Sequence, residues 1–217
     1  MINSAEPGCP VCRSFGARRF LSLPGQDYWA CETCEARFLD PSQRLGLEAE
    51  RRHYGHHQND PDDPQYRLFL SKGFVPMCEK LAPGSKGLDF GCGPGPALAA
   101  MFSEAGHHVA LYDPCFAPDT APLQRHYDFI TCTEVVEHLH DPFKAFDCFC
   151  HMLKPGGLLG VMTCFQTDDD RFEHWHYRKE PTHVVFFRDT TFRCVADRMV
   201  WRCEVPSKDV VIMQKPV

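Results

Sequence analysis

The stretch KGLDFGCGPGPALAAMF, residues 86–102, places glycine at 91, 93 and 95 between an apolar run and a helix-like run. Gly87, Leu88, Asp89 and Phe90 read as a buried strand. Residues 95–105 read as a helix with Leu98, Met101 and Phe102 facing inward, and Gly106 ends it. His108 to Asp113 reads as the next strand, closing on an acid. Strand, loop, helix and strand open a βαβ unit, so the loop falls at the carboxyl edge of a parallel sheet, where ligands bind.

The loop does not read as a dinucleotide site. That fingerprint needs G-x-G-x-x-G/A; counted from Gly91, Pro96 stands where the last small residue belongs. Asp89 sets a negative charge just ahead of the loop, which repels a pyrophosphate but accepts a hydrogen bond from a cationic amino group. The glycines let backbone approach a ligand closely. Asp113, at the end of the second strand, is placed to accept both hydroxyls of a ribose. A nucleoside carrying a zwitterionic amino acid and no phosphate meets these demands, and S-adenosylmethionine is such a molecule.

Four segments in order, LDFGCGPG (88–95), YDP (112–114), YDFITCTEVVEHL (127–139) and LKPGGLLGV (153–161), resemble the class I S-adenosylmethionine-dependent methyltransferases, and most closely the branch of the ubiquinone-biosynthesis O-methyltransferases. The resemblance spans residues of about 80–165 and rests on the loop together with the ribose acid. It implies an α/β fold: a Rossmann-like methyltransferase sheet with an antiparallel C-terminal edge. The cofactor contacts it implies are Asp89, Gly91, Cys92, Gly93, Gly95, Asp113, Pro114, Cys132, Thr133 and Glu134. Cys92 and Cys132 read as small packing residues beside the cofactor loops. One departure stands out. PCFAPDTAPLQRH (114–126) is too short and too rich in proline for the family's usual helix, third strand and adenine-contacting acid. The sheet is therefore expected to lack one strand–helix unit, with backbone at 114–116 walling the adenine.

Ahead of this region, Cys9-x-x-Cys12 and Cys31-x-x-Cys34 have the spacing of a four-thiolate zinc ribbon, with strands expected at 20–23 and 28–30 around Pro24-Gly25. A closed site with thiolates at all four positions is structural and lets a short segment fold with little core of its own. Residues 1–40 are read as the ribbon, 41–63 as a linker that caps the cofactor, and 64–217 as the methyltransferase domain. The linker histidines His53, His56 and His57 lack a fixed ligand spacing and read as part of a solvated or capping loop. A helix is expected over 64–81, started near Asp62 or Asp63 and weakened by Gly73 and Pro76.

Glu134, Glu137 and His138 are expected on one face at the start of a helix, where two carboxylates and an imidazole would suit Mg2+ or another divalent cation. The same string resembles the metal site of small-RNA 3′-end 2′-O-methyltransferases, which a later histidine completes. The structural alternative is a capping acid pair. After a strand expected at 158–164, FQTDDDRFEHWHYRKEPTHVVFF (165–187) is rich in His and aromatic residues and reads as a loop closing over the acceptor. His183 is the expected general base or fourth ligand, with His138 and Tyr177 as catalytic partners and His174 and His176 lining the site.

The net charge of −6 argues against a broad nucleic-acid footprint. No apolar run approaches the about 20 residues of a membrane span. Thirteen cysteines then read as thiols or ligands of a cytoplasmic protein. Three functions are weighed: O- or N-methylation of a small metabolite, an RNA- or protein-directed methyltransferase that recognises its target through the ribbon, and a binding protein that holds the cofactor without turnover. The first is favoured by charge. Arg13, Arg18, Arg19, Arg37 and Arg44 form the local basic patch on which the second rests.

Overall fold

A computed structural model describes residues 6–55 and 59–217. The chain opens with β1 (Arg18–Leu23), β2 (Gln26–Ala30) and β3 (Arg37–Leu39), followed by α1 (Leu47–Tyr54) and α2 (Pro64–Cys78). Then come β4 (Lys86–Phe90), α3 (Ala97–Glu104), β5 (His108–Tyr112), β6 (Tyr127–Thr133), α4 (Pro142–Met152) and β7 (Leu153–Met162). The chain closes with β8 (Val185–Phe186), α5 (Asp189–Met199), β9 (Arg202–Ser207) and β10 (Val210–Gln214).

Six strands form the main sheet in the order β5-β4-β6-β7-β10-β9. The pairings β4–β5, β4–β6 and β6–β7 are parallel, whereas β10 runs antiparallel to both β7 and β9. This is the expected sheet with its antiparallel edge and its missing strand. Among the described residues, 114–126 contribute one isolated bridge, Asp113 to Ala117, and a 3-10 turn, Ala121–Gln124. Three prolines without backbone N–H donors leave β5 as the edge.

Alternate residues of the central strands feed two cores, as the period of two requires. Phe129, Leu158, Met162 and Ile212 meet Leu70 and Met77 of α2 and Leu98 and Phe102 of α3. Ile130, Cys132, Leu159, Val161 and Val211 meet Phe146 and Phe149 of α4 and Phe192 and Val195 of α5. Helices on both faces leave a crevice outside the carboxyl ends of β4 and β6, between the segments leading to α3 and α4.

Asp63 caps α2, accepting from the Gln65 N–H at 2.8 Å, with Pro64 at the first helical position. The helix runs through Pro76 but ends at Cys78, earlier than residue 81. There the chain tightens into bonds from Lys80 N–H to Met77 C=O and from Leu81 N–H to Cys78 C=O.

The N-terminal strands do not form a sheet of their own. β3 pairs with β8, giving the antiparallel order β1-β2-β3-β8. The second core is continuous from Cys9, Val11, Tyr28, Trp29 and Phe38 into Phe165, Phe172, Phe186 and Phe192.

Candidate functional site

The glycine loop leaves β4 at Gly91, whose φ of +78° suits a residue without a side chain. A Cβ there would lie 2.3 Å from a Val135 methyl. Gly91 N–H donates to Tyr112 C=O at 2.7 Å, tying the loop to the end of β5. Gly95 is crowded from another direction: a Cβ would fall 1.8 Å from the backbone oxygen of Asn59. That glycine therefore admits the described segment before α2, whereas the sequence alone assigns all three glycines to the ligand.

Asp89 is 4% exposed and accepts from Thr131 Oγ1 of β6 at 2.8 Å. Burial raises its pKa to about 6; the Thr131 bond opposes that shift and the charge of Asp113 adds to it. Asp113 follows β5. One of its oxygens accepts from Gly93 N–H at 3.1 Å, and the other accepts from Cys115 N–H at 2.8 Å and Phe116 N–H at 3.0 Å. These bonds join the loop, the acid and the 114–116 backbone into one rim. Cys92 and Cys132 are buried, and burial raises both thiols, Cys92 to about 12.

Two residues outside the sequence reading of the site stand over this rim. Asn59 Nδ2 donates to Tyr66 Oη at 3.3 Å. The Tyr66 phenol is held up to about 12 by burial, then by the nearby charges of Asp89 and Glu134. In the sequence Tyr66 lies within the helix expected over 64–81, and no motif marks it. The acids near it, Asp89 and Glu134, lie far along the chain.

The Glu-x-x-Glu-His string does not start a helix. Val136–His138 is a single 3-10 turn, and α4 begins only at Pro142, behind the Asp141 cap. Glu134 adopts a left-handed backbone with φ of +52°, uncommon for a side chain of its size. The three side chains therefore do not share a helical face. Glu137, His138 and His183 instead bring one ligand atom each within 4.8 Å of one another. Glu134 is outside that set.

Glu137 is fully buried; its oxygens accept from Tyr177 Oη at 2.5 Å and Thr163 Oγ1 at 3.0 Å. Burial raises its pKa, while the charge of His183 and these donors oppose the shift. Tyr177 Oη also lies 3.2 Å from Glu134, whose pKa is raised to about 8 by burial and by the charge of Glu137. A phenol has one proton, so a protonated Glu134 can donate to it while it donates to Glu137.

His183 is 8% exposed, and burial lowers its pKa to about 4. Its Nδ1 lies 2.7 Å from Tyr177 C=O, which requires a proton on that nitrogen and makes Nε2 the acceptor. His138 Nδ1 lies 3.2 Å from Thr182 C=O, and its Nε2 is 3.9 Å from Glu137. The two imidazoles meet edge to face at 4.5 Å. His174 and His176 are exposed and do not join this group. The capping segment does: Tyr54 of α1 packs on His138 at 5.3 Å, and His53 pairs with Glu180 at 2.5 Å. His56 and His57 lie outside the described residues.

At the N-terminus, Cys9, Cys12, Cys31 and Cys34 bring four sulfurs within 4.8 Å of one another. Cys9–Cys34 and Cys12–Cys31 are each 3.6 Å apart. A tetrahedral ion with bonds of about 2.3 Å would set sulfurs about 3.8 Å apart, so the cluster fits zinc. Four of the five arginines of the basic patch are paired with acids. Arg13 pairs with Asp141, Arg18 with Glu32, Arg19 with Asp27 and Arg37 with Asp169, while Arg44 donates to His140 C=O.

Comparison with known proteins defines the class. A family model described as a methyltransferase domain matches residues 34–198. The chain belongs to that methyltransferase family. A ubiquinone biosynthesis O-methyltransferase of Xylella fastidiosa is 31% identical, over 50% of this chain and 54% of that protein. One of the same name from Serratia proteamaculans is 32% identical over 33% of this chain and 30% of its own length. The chain thus spans about half the length, or less, of these curated relatives. Two solved structures share the fold. Burkholderia thailandensis 1,6-didemethyltoxoflavin-N1-methyltransferase has a TM-score of 0.51 at 14% identity, covering 93% of this chain and 100% of that one. Human N-acetylserotonin methyltransferase has a TM-score of 0.50 at 13% identity, covering 70% and 54%.

Proposed function

We propose that this chain transfers the methyl group of S-adenosylmethionine to an oxygen or nitrogen of a small metabolite. The observation that carries the reading is the acid-floored glycine loop: buried Asp89 beneath it and Asp113 bonded into it through Gly93. In this reading Asp89 takes the ammonium of the cofactor and Asp113 the ribose hydroxyls. Asn59 and Tyr66 offer their donors to the carboxylate. Gly91, Cys92, Gly93, Gly95, Pro114, Cys132, Thr133 and Glu134 shape the walls. The described residues of 41–63 cap the cleft, which the contacts of Asn59 on Gly95 and Tyr54 on His138 support.

The cofactor, when bound, supplies a methyl group on a sulfonium with a neutral leaving group. The chain's own task is to orient the acceptor, exclude water and take a proton. Glu137, His138 and His183 are proposed as the seat of a divalent cation that holds the acceptor atom. Two imidazoles each fixed through Nδ1, with one buried carboxylate, suit such an ion. Tyr177 orients Glu137. Cys9, Cys12, Cys31 and Cys34 are proposed to hold structural zinc.

The metabolite reading is preferred over an RNA acceptor because the net charge is −6 and four of the five arginines of the N-terminal patch already pair with acids. The test is transfer of a labelled methyl group into metabolite, RNA and protein fractions. Label in the metabolite fraction is expected, and loss of that signal in Asp89→Asn. Label confined to RNA or protein refutes the acceptor class. Label in no fraction, with S-adenosylhomocysteine bound, supports a binding protein instead. Activity that survives a chelator too mild to strip the cysteines removes the catalytic cation.

A further inference from the structure

Among the places where the N-terminal unit touches the main domain, two lead directly to a histidine of the Glu137–His138–His183 group. The first is the knuckle of residues 9–13. Arg13, in a left-handed turn with φ of +64°, lays its guanidinium on both oxygens of Asp141, each at 2.6 Å. Asp141 is the N-cap of α4, accepts from Lys144 N–H at 3.1 Å, and stands three residues after His138. Phe143 N–H donates to Pro10 C=O at 3.1 Å, and the Phe143 ring lies between the guanidinium groups of Arg13 and Arg198 at 4.8 and 4.1 Å. The second place is the β3–β8 seam. Leu39 N–H donates to Val184 C=O at 2.9 Å, while Val184 N–H donates to Glu137 C=O at 2.8 Å. Val184 follows His183, so this one residue is held from the ribbon on one side and from the Glu137 turn on the other.

We infer that the four-cysteine unit is a brace for the candidate catalytic group, and that Arg13 is a positioning residue that acts on His138 through Asp141. The trio stands on two loops, 134–140 and 180–184, which no helix or strand of the main sheet spans. The two loops meet directly, with Val184 N–H on Glu137 C=O at 2.8 Å and His138 Nδ1 3.2 Å from Thr182 C=O, and their imidazoles stand 4.5 Å apart. The brace secures that meeting from outside: a charge-assisted contact of Arg13 Nη2 with both Asp141 oxygens at one loop, and a main-chain ladder at the other. The same contacts leave the unit little freedom to act as a detached recognition module. The importance of the trio rests on the proposed function, but the brace itself can be tested without turnover.

The experiment uses the full chain with Arg13→Ala and Asp141→Asn; the second keeps a capping side chain for α4 while removing the charge. Imidazole nitrogen resonances of His138 and His183 are recorded by NMR, amide exchange of Val184 is measured, and S-adenosylhomocysteine binding is followed by calorimetry. Both variants are expected to shift the His138 resonances and speed Val184 exchange about ten-fold, with S-adenosylhomocysteine affinity changed less than about two-fold. Arg13→Lys, which keeps the charge on a shorter side chain without the planar guanidinium, is expected to restore the resonances in part. Unmoved histidine resonances overturn the brace, and so does an equal loss across histidine geometry, cofactor affinity and global stability. Failure of the wild-type chain to bind S-adenosylhomocysteine would refute the proposed function and leave the histidine readout intact.

Discussion

Asp89 carries a charge that its own surroundings oppose. Its folded pKa of about 6 lies above the ordinary 3.8, so the unfolded chain ionises first. The cost of this burial is absent below about pH 4 and complete above about pH 6, where it reaches about 3 kcal/mol. Asp89→Asn is therefore expected to raise the melting temperature of the ligand-free protein at pH 7.5 and to leave it unchanged at pH 3.5. The same substitution is expected to weaken S-adenosylhomocysteine binding. In the wild type that binding should fall as pH drops through 6, because a protonated carboxyl loses its attraction for the ammonium. Calorimetric titrations between pH 5 and 8 check this; affinity flat across the range would rule out Asp89 as the ammonium's partner. Tyr66→Phe and Asn59→Ala address the other end of the amino acid. They are expected to cost about ten-fold in affinity for S-adenosylhomocysteine and almost nothing for 5′-methylthioadenosine, which lacks the carboxylate. Equal losses for both ligands would remove these residues from the carboxylate site. Asp89 and Asp113 are legible in the sequence because each sits within a short motif whose spacing defines its place. Tyr66 is not, because its neighbours in space, Asp89 and Glu134, are distant in the chain.

At the scale of elements, the segment before α2 and the glycine loop form one unit. Asn59 C=O occupies the space that any side chain at Gly95 would need. Gly95→Ala is expected to lift residues 59–63 without unfolding β4 or β6. Limited proteolysis should cut near Asp60–Asp63 at least about ten-fold faster, while the core fragment stays intact. Unchanged proteolysis would mean that the contact holds nothing in place. The missing strand is legible, because thirteen residues with three prolines cannot hold a helix and a buried strand. The turn at Val136–His138 is not. A Glu-x-x-Glu-His string has helical spacing, but the chain must first carry Glu134 through a left-handed residue and then wait for the Asp141 cap. Glu134 thereby leaves the ligand group, while His183, expected there as base or fourth ligand, lies within it across more than forty residues of sequence.

At the scale of the molecule, one core runs from the cysteine unit through α4 and α5 to the sheet. Such continuity predicts a single thermal transition, where separate ribbon and sheet domains would give two. If zinc holds the four cysteines, a strong chelator should lower that one transition by about 10 °C or more, since the metal's binding energy adds to folding of the whole. Differential scanning calorimetry decides it: a second, chelator-sensitive peak would show that the ribbon folds alone. No helix of the described residues is long and apolar enough to cross a membrane.

Local spacing determined the glycine loop, its two acids and the paired C-x-x-C knuckles, while the antiparallel edge came from the family resemblance. The loop, each acid and each knuckle depend on residues within one turn or strand of one another, where chain geometry leaves few alternatives. Only the tertiary structure decided that Glu134 stands outside the group of Glu137, His138 and His183, that Asn59 and Tyr66 cover the loop, and that the cysteine unit is built into the main domain. Those choices follow from packing between surfaces formed far apart along the chain, and no spacing rule within a single segment encodes which of them will meet.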